Sequence, residues 1–172
     1  MTKDDILHVV AEAFARVPRP DTFVIQGDWT GSEYSELADT LAQRDNDTLT
    51  ANDLKGSTVL LTTDALRYFM PALVRLSFWN DCDISDLYSC FVENTLCVPF
   101  PRDNIPNHHP ETPKFTRDQS LAALAFLQYL KDTMVIEGDP HPEVTARLLD
   151  RGIRNWKHFV SQFESTSANL VP

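Results

Sequence analysis

Two adjacent histidines followed by a carboxylate, His108-His109-Pro110-Glu111, are the residues of this chain best suited to chemistry. Imidazole and carboxylate groups together suit zinc or iron, and a small metal-dependent hydrolase could be built on them. Neighbouring histidines point in different directions, however, and no HExxH-type spacing accompanies them; His141 is the nearest further histidine in sequence. Cys90 and Cys97 could act as nucleophiles beside a histidine, but both fall in an apolar helical stretch, where a cysteine behaves as a small hydrophobe. Tyr68 and Pro71, with Arg67, could line a pocket, because a proline within a helix frees a backbone carbonyl for a ligand. Asp28, Trp29, Glu33 and Glu36 form an acidic patch around an aromatic ring, extended by Asp45 and Asp47, and such a surface could receive a basic partner. Phosphate-cradling glycine loops, G-x-S-x-G elbows and dinucleotide fingerprints are all missing from the sequence.

The elements that must hold these residues read as helices. Ile6, Leu7, Val10, Phe14 and Val17 recur at helical spacing, with Thr2 and Asp5 placed to cap the start and Pro18 and Pro20 to end it. Thr30 with Glu33 fits a capping box ahead of the face Tyr34, Leu37, Ala38 and Leu41. Residues 44–52 read as polar and turn-like. Thr62 or Thr63 caps a helix running to Trp79, in which Pro71 removes a hydrogen bond at a cost of ~3 kcal/mol; a kink or break is expected there, with Pro71 opening the second half. Asp83 or Ser85 starts another helix with the stripe Ile84, Leu87, Tyr88, Phe91, Val92 and Leu96, which Pro99 and Pro101 stop. Five prolines make 98–115 a long loop, an unusual feature that points to function or surface wrapping.

Thr116 and Gln119 form a second capping box. Behind it Leu121 to Leu130 has one polar residue, Gln128, so this helix is expected at the centre, shielded all round. Gly138 ends it near Ile136. The remainder, opened by Pro140 and Pro142 and interrupted by Gly152, reads as one bent helix or two short ones, with a frayed tail over 164–172. Residues 22–26 and 59–61 are the candidate short strands. The fold class is therefore all-α, an irregular bundle with at most two or three short strands, in one domain spanning 1–172.

Three phrases, E-A-F-A-R-V-P-R-P near the start, Leu61 to Leu76 and Phe115 to Leu130, together resemble a small bacterial family catalogued as domain of unknown function 6714. The likeness covers about half the chain. Tyr68-Phe69-Met70-Pro71-Ala72 is its most specific part. Thr63 stands where that family's phrase has proline, Leu49 to Leu54 replaces a usual tryptophan, and the part beyond 138 is additional. The resemblance implies a shared fold and no activity, and it transfers no functional residue.

Composition bounds the rest. Fifteen Lys and Arg against 25 Asp and Glu give a net charge of −10, a field that repels phosphate backbones, and the cations are scattered without a basic stripe, so nucleic acid is not an expected partner. Three cysteines, Cys82, Cys90 and Cys97, suggest reduced thiols. No secretion signal and no membrane-length apolar run is seen, so the expected location is cytoplasmic and no membrane contact is expected. No cofactor is expected. The leading reading is a non-catalytic binding protein, immunity-like or accessory, that recognises a basic protein partner through its acidic surface. The rivals are the metal-dependent hydrolase on the His108/His109 loop and a structural subunit of a homodimer or larger homo-oligomer, which exposed Phe100, Phe115 or Trp79 would favour.

Overall fold

A computed structural model describes residues 1–25, 32–54, 58–78, 89–97, 115–133 and 142–168. Among them the chain is all-α. In order, the elements are α1 (Lys3–Phe14), α2 (Ser32–Ala42), the short α3 (Ala51–Leu54), a 3-10 turn (Thr58–Leu60), α4 (Thr63–Leu76), a π-helix (Ser89–Leu96), α5 (Arg117–Thr133) and α6 (Pro142–Ala168). No strand forms among the described residues. The two candidate strands meet in one isolated antiparallel bridge, Val24 to Leu61. Ile25 N–H donates to the Leu60 carbonyl at 2.8 Å and Thr62 N–H to the Phe23 carbonyl at 3.0 Å. Thr58–Leu60 coils on one side of that bridge and α4 begins on the other, which leaves no length for a ladder.

Local capping sets the helix starts. Thr2 and Asp5 exchange two hydrogen bonds, 2.6 and 3.2 Å, in a capping box. Thr116 N–H donates to Gln119 Oε1 at 3.0 Å and Gln119 N–H returns to Thr116 Oγ1 at 3.3 Å. Thr62 caps α4 through the Ala65 N–H, 3.1 Å. The Thr30–Glu33 box lies outside the described side chains.

The core runs along α1, α4 and α5. Ile6, Val10 and Phe14 from α1 meet Leu66, Phe69, Met70 and Leu73 from α4 and Phe126, Leu127 and Leu130 from α5. Helix α5 packs on both α1 and α6. It is central but not shielded on every side: Ala122, Ala123, Phe126, Leu127 and Leu130 are buried, whereas Leu121, Leu124, Ala125, Gln128 and Tyr129 are half-buried. The half-buried residues mark the sector that α1 and α6 cover incompletely.

Four further expectations are corrected. Helix α4 runs unbroken through Pro71, so the proline opens no second helix. Of the two readings of the last third, one bent helix or two short ones, the single helix is found, 27 residues long through Gly152, and it continues to Ala168, into the tail expected to be frayed. A Cβ at Gly152 would stand 2.8 Å from Cys97 Sγ; this glycine serves close packing, not a break. The described part of the expected 83–97 helix is π-helical, with Cys97 N–H donating five residues back to Val92 at 2.9 Å. The last two residues of the expected turn region, 51 and 52, are helical and open α3.

Candidate functional site

The most distinctive surface is built by α2 and the loop that follows it. Leu37 and Leu41 turn into the core, while Glu36 and Asp39 face solvent one helical turn apart. Beyond the helix, Asp45 and Asp47 are exposed. Asp45 shapes the loop: its Oδ1 accepts from the N–H of Asp47 at 3.0 Å, the N–H of Thr48 at 2.9 Å and the Thr48 hydroxyl at 2.7 Å. The Thr48 hydroxyl and then its N–H hold the Asp45 carboxyl below the ordinary carboxylate value.

Cations in this region are engaged with the protein's own acceptors, although Arg19 remains exposed. The Arg19 guanidinium donates to the carbonyls of Ala42 (2.6 Å) and Leu41 (3.3 Å) in the last turn of α2 and to that of Arg44 (2.7 Å) just beyond it. It also lies 5.1 Å from the Phe23 ring centre and 5.5 Å from that of Tyr68. Arg75 donates to the carbonyls of Asn46 at 2.9 Å and Leu49 at 3.3 Å. Arg44 pairs with Asp53 at 2.9 Å. Burial pushes the Asp53 carboxyl up, but the hydrogen bonds from Arg44 and Thr50 outweigh it and the net direction is down. Three guanidiniums therefore satisfy carbonyls and one mostly buried carboxylate, and the exposed Arg19 charge also reaches Asp45.

A cleft of about 710 Å³ lies beside this region, between Val17–Ile25 and the start of α4. Pro18, Pro20, Asp21 and Thr22 form one wall, Thr63, Asp64 and Arg67 the other. Arg67 is fixed by Asp64 (3.2 Å) and by Gln119 Oε1 (3.3 Å), so its charge is already engaged.

The residues singled out in the sequence are partly brought together. Tyr68 is half-buried, its hydroxyl accepting from Arg19 at 3.3 Å and its ring in edge contact with Phe69. Pro71 is half-buried on the same helix. Neither lines the cleft. The groups freed near the proline are met by the Asn46 amide, whose Nδ2 donates to the Tyr68 carbonyl at 2.8 Å and whose Oδ1 accepts from Ala72 N–H at 3.1 Å. Asp28, Trp29, His108, His109 and the side chain of Glu33 lie outside the described residues. Among the described residues no three His, Cys, Asp or Glu side chains gather as for a metal ion.

Cys97 is buried, and burial together with Glu93 pushes its thiol up to about 12 against the pull of Arg151. A thiol held neutral in this way is a poor nucleophile. Phe115 is also buried, in edge contact with Phe14 and Trp156, and so gives no support to an exposed homo-oligomer seam. Among the described residues the exposed large apolar side chains are Met1 and Val144, and none of the described helices is long and apolar enough to cross a membrane.

Sequence reasoning missed Arg19, Asn46 and the cleft. Arg19 stands between two prolines, a position where the chain is extended and a long side chain reaches outward; that spacing was the available signal. Compared with known proteins, the chain matches no family model, no curated protein and no solved structure.

Proposed function

We propose that this chain is a non-catalytic binding protein that receives a basic protein partner on the acidic face of α2 and the 43–50 loop. The observation that carries the reading is that Arg19, Arg44 and Arg75 are engaged with carbonyls and with Asp53, while Asp39, Asp45 and Asp47 stay exposed beside them. The small number of exposed large apolar side chains among the described residues favours recognition by charge over recognition by an apolar patch. The raised Cys97 thiol and the engaged Arg67 fit a binding role better than a catalytic one.

Affinity capture from host lysate, with elution by salt, tests this. The expected partner is a basic protein released as ionic strength rises, because exposed charges are screened beyond about 8 Å at physiological salt. Asp39→Lys together with Asp47→Lys is expected to abolish capture while leaving the melting temperature close to that of the parent. Capture that is indifferent to salt, or unaffected by the double charge reversal, removes the reading.

A further inference from the structure

The solvent side of α6 carries charge of the opposite sign. With about 100° per residue, Arg147, Arg151, Arg154 and His158 fall within a sector of about 60°, and Lys157 flanks it. All five are exposed, while Leu149, Ile153, Trp156 and Val160 occupy the buried side of the same helix. Its three arginines span about 10 Å with one cation per turn, and His158 extends the polar row to about 17 Å. Two carboxylates flank it: Asp150, paired with Lys131 of α5 at 2.6 Å, and Glu143, exposed one turn before Arg147. Arg147 and Arg151 are steadied by Nε donation to the Glu143 and Cys97 carbonyls. The expectation of scattered cations is thus wrong for α6: spacings of four, three and four residues assemble a stripe that appears only when the sequence is wound as a helix.

We propose that this basic face docks on the acidic α2 face of a second copy of the chain. The inference rests on the reading above for the acidic face and places on it the basic face of an otherwise acidic second copy. Charge complementarity argues for it. An occupant of the α6 row must present carboxylates at about one helical turn, and Glu36 and Asp39 do so on α2, continued by Asp45 and Asp47. Both rows face solvent in the folded chain, α2 packing on α3 and α6 on α5 and the π-helix. The contact is heterologous, acidic face to basic face, so each copy can engage two neighbours. The shared net charge of −10 opposes approach in other orientations and confines attraction to this one.

Sedimentation velocity over a concentration series tests it with two folded variants. Arg154→Glu with Lys157→Glu cancels the net positive charge of the α6 face, and it spares Arg151, which holds the Cys97 carbonyl. Asp39→Arg with Asp47→Arg cancels the net negative charge of the α2 face. The wild type is expected to associate at low salt and to dissociate at about 0.5 M NaCl, where screening acts within ~4 Å. Each variant alone is expected to stay monomeric, and their equimolar mixture to associate. A monomeric wild type at low salt, or a mixture that stays monomeric, overturns the inference. Fluorescently labelled oligolysine titrated into the Arg154→Glu, Lys157→Glu variant separates the two readings: if it binds while the wild type stays monomeric, only the second-copy partner fails, and if it does not bind, the acidic-face reading fails with it.

Discussion

Asn46 stands opposite Pro71 and supplies what the helix around the proline lacks. Its amide reaches α4 from the loop after α2, donating to the Tyr68 carbonyl at 2.8 Å and accepting from the Ala72 N–H at 3.1 Å. In a regular helix those two groups are each other's partners. Arg75, one turn further along α4, holds the loop in place through the Asn46 carbonyl. A side chain engaged with the ladder just past a proline explains why α4 continues through Pro71.

Removing that amide should therefore cost stability. Asn46→Ala deprives two partly buried backbone groups of a partner and is expected to lower unfolding free energy by about 2 kcal/mol. Asn46→Asp should be no better, because a carboxylate cannot donate to the Tyr68 carbonyl. Pro71→Ala restores a donor to the Arg67 carbonyl and lets the turn close, so in the Asn46→Ala background it should recover much of the loss. Urea unfolding of the four members of this cycle measures the coupling; strict additivity would show that the two residues act independently.

Arg19 and Tyr68 give a second test, which separates a structural from a binding role for the tyrosine. Arg19 satisfies three carbonyls at and just beyond the end of α2 and lies over two rings. Charge-assisted hydrogen bonds contribute about 1.5–3 kcal/mol. Arg19→Ala should lie in that range, and Arg19→Lys should recover only part, because an ammonium lacks the planar fork that reaches several carbonyls. Tyr68→Phe loses one 3.3 Å hydrogen bond and should be close to neutral. A Tyr68→Phe variant that melts like the parent yet loses partner capture would return the tyrosine to the binding face.

These contacts mark where sequence reading stops. Thr2 with Asp5 and Thr116 with Gln119 are legible because donor and acceptor lie three residues apart and the motif is complete within one turn. The all-α class follows in the same way from the 3.6-residue recurrence of apolar side chains. Arg19 and Asn46 act over 23 and 26 residues, through carbonyls whose positions depend on how α2 and α4 pack. The π-helix is illegible for another reason. Phe91, Val92 and Leu96 are spaced by four and five, which fits an α stripe and a π stripe alike. Gly152 is a breaker by composition, and only the approach of Cys97 reveals it as a contact.

Gly152 can be tested through that contact. An added Cβ meets Cys97 Sγ at 2.8 Å and the Cys97 Cα at 3.0 Å. The methyl group favours the helix by up to ~1 kcal/mol, but overpacking typically costs 1–3 kcal/mol, about as much or more. Gly152→Ala is therefore expected to destabilise on balance. Cys97→Ala in the same chain removes the sulfur and should relieve part of the clash, leaving the backbone contact. A stabilised Gly152→Ala variant would mean that the π-helix and α6 separate without cost.

Cys97 also sets a pH dependence at the alkaline end. Burial, with Glu93, pushes its thiol up to about 12 from an ordinary value of 9.0, and Arg151 acts the other way. Between those values the unfolded chain releases the thiol proton while the folded chain keeps it, so stability falls as pH rises. The contribution is fully present below pH 9 and is lost progressively toward 12. Urea midpoints measured from pH 8 to 10.5 should fall more steeply for the parent than for Cys97→Ala, since tyrosines and lysines titrate in both. In the native state at pH 8 the thiol should resist iodoacetamide and react once the chain is unfolded in urea. Equal slopes for the two proteins, with rapid native alkylation at Cys97, would place this sulfur in contact with water and remove the packing of α6 against the π-helix from the account.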